Sequence, residues 1–547
     1  MNHGGNIIIM VPHPTKSAKP APACWPCWLT AVLGTLSFIA VLTAFNIADG
    51  DLWAKLALGA HVVLHGSVLA HDIFAFTPVL PEYIDHEWGA GTIFYACLKW
   101  FGPASLMALK IVLAFGALLA AMIAGRRLGA SWNSLLALAI PCGACILPAY
   151  APVLRSHAFT FFFFGATLLC LEEIRAGKNW PAFLLPVIVL IWANVHGGFV
   201  VGLGAIGVYA AFARCDFPGK SPARQGSEAA PSRFTVMLLV LSACFLVTVL
   251  NPYGFKFWSY LIPALLKKRP QIPEWQPLPL IGSDIFIGFR ILFGLVVLIL
   301  LIAWRHTEKR SWPGLVMLLL TGFFSWRSRR HGPFFGVAAL AFAGPFVSVA
   351  YGRLTSQLPK AISGKMNPVF LVLTLYGLLA IYAADRFLPK SSFQVLSPLG
   401  VYPVREVDIL SRAQAEGNLA VPFDTGSYAS WRLYPRIKIS VDGRYETTFP
   451  ESTFRLNEDF YGKYGSNWDE LIREYPVDYI ILDLHSKPLR PEDLDKRGYV
   501  LIWQTEGQSA LMALEKDAPK LRQAASELPP DTVDPLDPGI PEKWWPR

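Results

Sequence analysis

Long apolar stretches separated by short polar loops are the feature that most constrains this chain. A helix that crosses a bilayer needs about 20 predominantly apolar residues, and somewhat fewer suffice beside a polar cavity. The candidate spans are 26–47, 104–125, 133–150, 157–174, 181–194, 197–213, 234–250, 286–304, 312–325, 333–350 and 367–385. Only 16% of the 547 residues are charged, against about 25% in soluble proteins. The sequence therefore predicts a polytopic membrane protein and excludes an ordinary soluble enzyme.

The same pattern divides the chain into four parts. These are a cytoplasmic N-terminal tail 1–25, a transmembrane domain 26–389 with a first outer loop 48–89, an α/β domain 390–515 and an extended tail 516–547. The stretch 90–101 is too short to span comfortably and is predicted to be interfacial or re-entrant. The predicted fold is mainly α, with about 11 transmembrane helices and a C-terminal α/β soluble domain.

The region after residue 390 has the β-prone runs and turn residues of a water-soluble α/β domain. The predicted elements are strands at 419–423, 437–441, 478–483, 500–505 and 509–514, the last two forming a hairpin, and a helix at 468–474. Segments 424–428 and 442–445 follow predicted strands. Their residues are either turn formers or contacts for an acceptor.

The net charge of +9 is distributed unevenly among the loops. Basic loops of membrane proteins tend to face the cytoplasm. With the N-terminus inside, that side receives the basic loops 126–127, 175–178, 214–233, 305–310 and 353–365. The excess of Lys and Arg is therefore attributed to loops that face anionic lipid and not to nucleic-acid binding. Loop 48–89 and everything after Ala384 fall on the outer side.

Ionisable residues collect on this outer face, at the edges of the apolar stretches. Such residues are costly next to lipid and are functional candidates by default. The candidates for catalysis in loop 48–89 are Asp49, Asp51, His86 and Glu87. The candidates for substrate binding are Arg155, His157, Asn194, His196, Arg327, Arg329, Arg330 and His331. Their common location on one membrane face predicts a reaction centre there.

Each group also has a structural alternative. Asp49 is a suitable N-cap for a following helix, and 85–87 is alternatively a solvated loop. The glycines in 194–198 suit a break between helices, and the cluster 327–330 suits lipid phosphates without any catalysis. Four tryptophans at these edges predict an interfacial aromatic belt: Trp53, Trp88, Trp192 and Trp275.

Five short motifs follow one another along the membrane part, which covers roughly 26–385. They are Asp49-x-Asp51-x-Trp53, Phe76-Thr77, His86-Glu87-Trp88, Trp192-x-Asn194-x-His196-Gly197-Gly198 and Asn251-Pro252-x-Gly254. Their order resembles an uncharacterised bacterial branch of the GT-C superfamily of polytopic glycosyltransferases. The resemblance implies a polyprenyl-phosphate-linked sugar donor and carries the catalytic aspartate of the family onto Asp49 or Asp51, between which the sequence does not choose. The sequence has no oligosaccharyltransferase-type Trp-Trp-Asp motif, which disfavours protein N-glycosylation by that route.

The leading hypothesis is an inverting glycosyltransferase of a bacterial inner membrane. It would move a sugar from a polyprenyl-phosphate donor to a saccharide, lipid or protein acceptor on the outer face. A carboxylate near the lipid boundary has a raised pKa, which suits a general base, and the planar fork of Arg suits a phosphate. The alternative is a non-catalytic transporter or assembly protein for lipid-linked saccharides. A transporter typically has internal repeats and polar groups near the bilayer midplane, whereas here no convincing repeat is found and the polar groups lie at one interface.

A divalent metal ion is a second means of neutralising the donor phosphate. Asp51, His86 and Glu87 are the candidate ligands. Their spacing matches no fixed metal motif, so the sequence leaves metal dependence open.

The charge asymmetry generates a topology prediction. Reporter fusions at Arg310 and at Lys390 should report the cytoplasm and the outer side respectively, because basic loops are retained inside. If both fusions report the same side, the predicted topology and the common location of the outer-face residues are both wrong.

Overall fold

The structure is a computed structural model. It describes residues 25–44, 46–150, 154–215, 232–267, 272–282, 286–308, 310–356, 375–379, 395–397, 401–505, 507–528 and 534–535. The predicted tail 1–25 lies outside the described residues except for Trp25, as does most of the basic loop 214–233. Of the predicted span 367–385, only 375–379 is described, and these residues are helical.

The membrane part is built from helices joined by short connections. They are α1 (Trp25–Ala44), α2 (Gly50–His65), α3 (Trp88–Phe101), α4 (Ala104–Arg127), α5 (Trp132–Ile146), α6 (His157–Arg175), α7 (Trp180–Val195), α8 (Phe199–Phe212), α9 (Arg233–Val247), α10 (Lys256–Leu266), α11 (Ile287–Ala303), α12 (Trp312–Arg327), α13 (Gly332–Phe342) and α14 (Gly344–Ser356). Every predicted apolar stretch up to residue 350 contains a helix, and the mainly helical fold is confirmed.

The predicted number of membrane spans is not confirmed. Among the described residues, four helical segments are long and apolar enough to cross a membrane: Ala104–Arg127, Trp132–Tyr150, His157–Arg175 and Ile287–His306. A fifth span results if α13 and α14, bent by 59° at their junction, are counted as one broken span together with the turn before them. Helices α7, α8 and α9 are apolar but have only 14 to 16 residues.

The first outer loop contains a helix, as the N-cap alternative for Asp49 predicted. Asp49 is the N-cap of α2, and its carboxylate accepts the backbone N–H of Leu52 at 3.1 Å. The helix ends at Gly66, whose φ of 69° is the left-handed conformation that favours glycine. Helix α2 packs closely on α3, because a Cβ on Gly59 would lie only 2.0 Å from the carbonyl oxygen of Gly91. The loop is therefore a packed part of the protein.

The C-terminal domain is a mixed sheet covered by helices. Its five-stranded sheet has the order β3 (Ile437–Ile439), β2 (Gly417–Ala420), β4 (Tyr479–Asp483), β6 (Ser509–Leu514) and β5 (Tyr499–Thr505). Strand β2 pairs in parallel with β3 and β4, whereas β4–β6 and β5–β6 are antiparallel. A separate pair joins β1 (Leu396–Ser397) to β7 (Asp534–Pro535). The C-terminal sheet is thus confirmed, as is the predicted hairpin.

Six helices accompany the sheet, more than the sequence predicted. They are α15 (Val404–Arg412), α16 (Phe423–Leu433), α17 (Glu451–Gly462), α18 (Glu470–Glu474), α19 (Pro491–Asp495) and α20 (Ala518–Ser526). Helix α20 corrects the prediction of an extended tail from residue 516. Its side chains Leu521 and Ala524, spaced by one turn, are buried, so the folded domain continues at least to Ser526.

The first outer loop joins the edge of the C-terminal sheet. Ala75 forms a parallel bridge with Ile439 of β3. The backbone N–H of Phe76 donates to the carbonyl of Ile439 at 3.0 Å, and the N–H of Ile439 donates to the carbonyl of Phe74 at 2.9 Å. The hydroxyl of Thr77 donates to the carbonyl of Ser440. The loop and the domain therefore lie on the same side of the helical part.

A buried ion pair reinforces this junction. Arg444 of the domain, 4% exposed, pairs with Asp72 of the loop and with Asp442 of its own turn. Its guanidinium also lies over the ring of Phe74, 4.9 Å from the centroid, and the two carboxylates hold the pKa of Arg444 well above its usual range although burial opposes this. Asp442 and Arg444 are thus structural residues, which supports the turn-forming alternative for 442–445.

Replacing Arg444 by Met should loosen the junction. Both carboxylates would remain buried without a cation, a change that typically costs about 3–5 kcal/mol. The expected result is a lower thermal unfolding midpoint and faster proteolysis within loop 66–84. Arg455→Met is the matched control, because the Arg455–Glu451 pair is exposed and contributes at most about 1 kcal/mol. Equal stability of the two variants would contradict the structural role of Arg444.

Candidate functional site

The outer-face residues meet where helices begin or break. Asp49 precedes α2, and Arg155 lies two residues before α6. Glu274 lies in the short turn Pro273–Trp275, and Arg330 in the turn Arg329–His331 between α12 and α13. Unpaired backbone groups at helix ends need polar partners, so charged side chains are tolerated at these positions. Distant parts of the sequence thereby contribute to one cluster.

Asp49 and Arg155 form the centre of this cluster. The Nε of Arg155 pairs with the Oδ2 atom of Asp49 and lies 3.3 Å from an Oδ2 atom of Asp51. The Asp49 side chain is 15% exposed, and that of Asp51 is 53% exposed. Burial raises the pKa of Asp49 to about 6, although the charge of Arg155 opposes the shift. The structure thus distinguishes the two aspartates that the sequence could not separate.

Glu274 connects the two arginines of the cluster. Its Oε2 lies 3.2 Å from Nη1 of Arg155, and its Oε1 lies 3.8 Å from Nη1 of Arg330. The Arg330 guanidinium also lies over the ring of Trp275, 4.3 Å from the centroid. Burial alone would raise the pKa of Glu274, but Arg330 and Arg155 together lower it. These residues, Asp49, Asp51, Arg155, Glu274 and Arg330, are called the arginine cluster below.

A second group of charges lies beside the arginine cluster, on α2 and at the start of α3. The ammonium of Lys55 is 2.9 Å from Asp85 and 3.0 Å from Glu87. Burial disfavours the charged forms of Lys55 and Glu87. Even so, Asp85 and Glu87 hold the pKa of Lys55 well above its usual range, and Lys55 holds that of Glu87 well below its own. We call Lys55, Asp85, Glu87 and the neighbouring His196 the lysine cluster.

His196 extends the lysine cluster into the helical core. Its Nδ1 accepts the backbone N–H of Gly198 at 2.8 Å, so its Nε2 carries the proton and faces Glu87 Oε1 at 3.4 Å. Thr160 Oγ1 lies 2.8 Å from the same Nδ1 and accepts the indole N–H of Trp192. The predicted break at 194–198 is present, and it places His196 between α7 and α8.

Several predicted site residues have structural partners instead. Asn194 accepts the indole N–H of Trp88 at 2.9 Å and donates to the carbonyl of Leu190, which fixes α3 against α7. His157 contacts the carbonyl of Ala149 through Nε2 at 2.7 Å. His86 lies 3.6 Å from Glu87 and packs against the ring of Tyr260. The solvated-loop alternative for 85–87 is wrong, because Asp85 is 4% exposed.

The predicted basic cluster 327–331 is not one unit. Among the described contacts of these four residues, the ion pair with an acidic residue of the arginine cluster is that of Arg330 with Glu274. Arg327 is exposed at the end of α12. Arg329 approaches the carbonyl of Pro277 and the ring of Phe286, and His331 lies between phenylalanine rings. Consecutive residues of a tight turn point in different directions, which the sequence pattern did not indicate.

The tryptophans do not all form an interfacial belt. Trp53 and Trp192 are buried, Trp88 donates to Asn194, and Trp275 lies under Arg330. The belt prediction is therefore wrong for Trp53 and Trp192. Trp53 instead packs against Tyr428 of the C-terminal domain, with ring centroids 5.2 Å apart.

Lys55, Asp85 and Glu274 are the members of the two clusters that the sequence analysis did not select as site residues. Lys55 lies four residues after Asp51, within an apolar helical run, and an isolated lysine in such a run is the signal that could have identified it. Glu274 follows Pro273 in a loop whose sequence has neither a helix nor a strand pattern. Only the fold brings it to Arg155.

The described residues do not fit the metal hypothesis. Among them, no group of three or more His, Cys, Asp and Glu side chains is arranged to hold a metal ion. Asp51 lies against Arg155, whereas Glu87 lies against Lys55 and the imidazoles of His86 and His196. The three candidate ligands are thus divided between the two clusters, and no step of the chemistry below involves a metal.

Comparisons with known proteins give one informative result. No family model matches the chain, and no curated protein matches its sequence. Among solved structures, the crystal structure of ArnT from Cupriavidus metallidurans bound to undecaprenyl phosphate matches with a TM-score of 0.50. The match covers 89% of this chain and 98% of that chain at 12% sequence identity. Such a match concerns the fold alone, and it spans both the helical part and most of the C-terminal domain. The chain therefore has an ArnT-like fold, which agrees with the fold expected from the order of the motifs.

Proposed function

We propose that this protein is a membrane glycosyltransferase that moves a sugar from a polyprenyl-phosphate-linked donor to an acceptor hydroxyl. The observation that carries the proposal is the arginine cluster, which combines a buried carboxylate with two arginines at the edge of the helical part. The ArnT-like fold supports it, because the matching crystal structure contains undecaprenyl phosphate. We further propose a bacterial inner-membrane location with the cluster on the outer, periplasmic side.

Asp49 is the proposed general base. One of its carboxylate oxygens takes the proton of the acceptor hydroxyl, and the hydroxyl oxygen forms a bond to the anomeric carbon of the sugar. The bond from that carbon to the phosphate oxygen breaks, and its electron pair leaves with the polyprenyl phosphate. A single displacement of this kind inverts the anomeric centre. A carboxylate with a pKa of about 6 is a stronger base than an ordinary aspartate and is still ionised at neutral pH.

Arg155 and Arg330 are the proposed partners of the donor phosphate. The leaving phosphate gains negative charge as the glycosidic bond breaks, and guanidinium groups stabilise such charge through paired hydrogen bonds. Both arginines lie within 4 Å of the same carboxylate, Glu274, so one phosphate can contact both. The acceptor class, a saccharide, a lipid or a protein, is left open.

Asp49→Asn tests the proposed base. Asn keeps the shape and the N-cap function of Asp but cannot take the proton, so the rate should fall by about 10²–10⁴ with no loss of expression. The measurement is release of undecaprenyl phosphate from synthetic undecaprenyl-phosphate sugars in membranes that supply the acceptor. Asp51→Asn is the matched comparison and should act more weakly, because Asp51 is half exposed. Normal transfer by both variants would exclude either carboxylate as the base.

The pH profile of transfer provides a control on this assignment. The base must be ionised, so kcat/KM, which reports the free protein, should rise with pH up to about 6, the raised pKa of Asp49, and level off above it. Asp49→Asn should remove that inflection from the residual rate. A protein that binds the lipid phosphate but transfers no sugar at any pH would favour the alternative function of a transporter or assembly protein.

Arg330→Gln tests the proposed phosphate contact. A charge-assisted hydrogen bond contributes about 1.5–3 kcal/mol, so binding of undecaprenyl phosphate should weaken by roughly ten- to a hundredfold. Arg412→Gln, whose exposed side chain pairs with Asp408 on the C-terminal domain, is the control and should bind normally. If Arg327→Gln or Arg329→Gln weakens binding as strongly and Arg330→Gln does not, the phosphate lies outside the arginine cluster.

A further inference from the structure

Both carboxylate oxygens of Asp49 are already occupied in the protein without ligand. Oδ1 accepts the backbone N–H of Leu52 at 3.1 Å, which caps α2. Oδ2 accepts the Nε–H of Arg155. An acceptor hydroxyl that donates its proton to Asp49 must approach one of these oxygens. The contact with Leu52 is part of the helix cap, so the contact with Arg155 is the one that can be given up without unwinding α2.

Arg155 is in turn surrounded by carboxylates. Its Nε faces Asp49 and Asp51, and its Nη1 faces Glu274. With Asp85 and Glu87 of the lysine cluster, five carboxylates lie in this region against three permanent cations, Lys55, Arg155 and Arg330. A phosphate therefore finds no arginine without a carboxylate partner among these residues. A phosphate that binds the side of the guanidinium formed by Nε and Nη2 must displace Asp49 from Nε.

We propose that the donor phosphate and Asp49 compete for Arg155, so that binding of the donor releases the carboxylate that acts as base. The inference rests on the proposed function and concerns the regulation of the same site. A phosphate offers Arg155 two oxygens in the geometry of its planar fork, whereas Asp49 offers one oxygen to Nε. Loss of the Arg155 contact removes a charge that stabilises ionised Asp49, which makes the carboxylate a stronger base.

This exchange of partners makes donor binding precede proton transfer to Asp49. Before the donor binds, Arg155 occupies the Oδ2 atom of Asp49 and keeps an acceptor hydroxyl from it. After the donor binds, the same guanidinium faces the leaving phosphate and Asp49 faces the acceptor. Arg330 has the longest ion pair of the arginine cluster, 3.8 Å to Glu274, and can turn to the phosphate with little loss. Asp49 therefore lowers the affinity for the donor while it is required for turnover.

A double-mutant cycle on ligand binding tests this competition. The full-length protein in detergent micelles is titrated with undecaprenyl phosphate, and dissociation constants are measured for the unmodified chain, Asp49→Asn, Arg155→Gln and the double variant. Asp49→Asn should bind about fivefold tighter or more, the lower limit of a typical coupling between sites. In the Arg155→Gln background the same change should alter affinity by less than about twofold, within the usual limit of additivity.

The cycle separates competition from simple repulsion between negative charges. If Asp49→Asn tightens binding equally with and without Arg155, repulsion alone explains the gain and the inference is overturned. It is also overturned if Asp49→Asn binds no more tightly than the unmodified chain. If Arg155→Gln binds too weakly to measure, Arg155→Lys replaces it in the cycle, since Lys retains the charge but not the fork. Asn at position 49 preserves the cap of α2, so folding does not confound the comparison.

Two controls keep this test distinct from the test of the proposed function. Glu82→Gln removes an exposed carboxylate of the same loop, one that pairs with Lys256, and should leave the dissociation constant unchanged. Undecaprenol, which lacks the phosphate, should bind more weakly than undecaprenyl phosphate. If the unmodified chain binds undecaprenol as well as undecaprenyl phosphate, the proposed donor is wrong. If it prefers the phosphate but shows no coupling between Asp49 and Arg155, only the competition is wrong.

Discussion

The ion pair between Arg155 and Asp49 is the contact through which separate parts of the fold meet. It joins the start of α2 to the segment before α6, and through Glu274 it reaches the turn before α11. Charges of this kind cannot lie within an apolar helix without cost, so they are confined to helix ends. The positions of the helix breaks therefore decide which residues can react together, and the apolar helices fix those positions.

The periodic and compositional parts of this architecture were predictable from the sequence. Apolar stretches gave the helices, and alternation with a Gly-containing turn gave the β5–β6 hairpin. Helix α2 was predicted only as the alternative in which Asp49 is an N-cap, because Asp51 and Lys55 interrupt the apolar pattern of the segment. These charges are directed into ion pairs that form only when α3 and α6 are in place. The number of spans stays a prediction, since hydropathy does not distinguish a short buried helix from one that crosses the bilayer.

Within the site, the sequence identified residue types and the face on which they lie, but not their partners. Asp49 and Arg155 were both selected, yet nothing in the sequence joins residues separated by about a hundred positions. Asn194 and Asp442 both have contacts that fix elements of the fold, a use of polar residues that a motif does not distinguish from binding. The buried contact of Arg444 with Asp72 has the further consequence that the C-terminal domain holds the loop leading to Asp85 and Glu87.

The polar groups of this protein differ in how completely they are satisfied, and that difference separates structural from reactive positions. Glu172, buried in α6, is bound by Arg175, by the hydroxyl of Tyr209 at 2.6 Å and by Ser311, with both oxygens in contact. A fully satisfied buried network of this kind rigidifies the packing of helices. The arginine cluster is different, since Asp51 is half exposed and the Arg330–Glu274 contact is long. In the proposed reaction, the excess of carboxylates and the long Arg330–Glu274 contact allow the arginine cluster to rearrange around a phosphate. The network around Glu172 would have to leave buried groups unpaired.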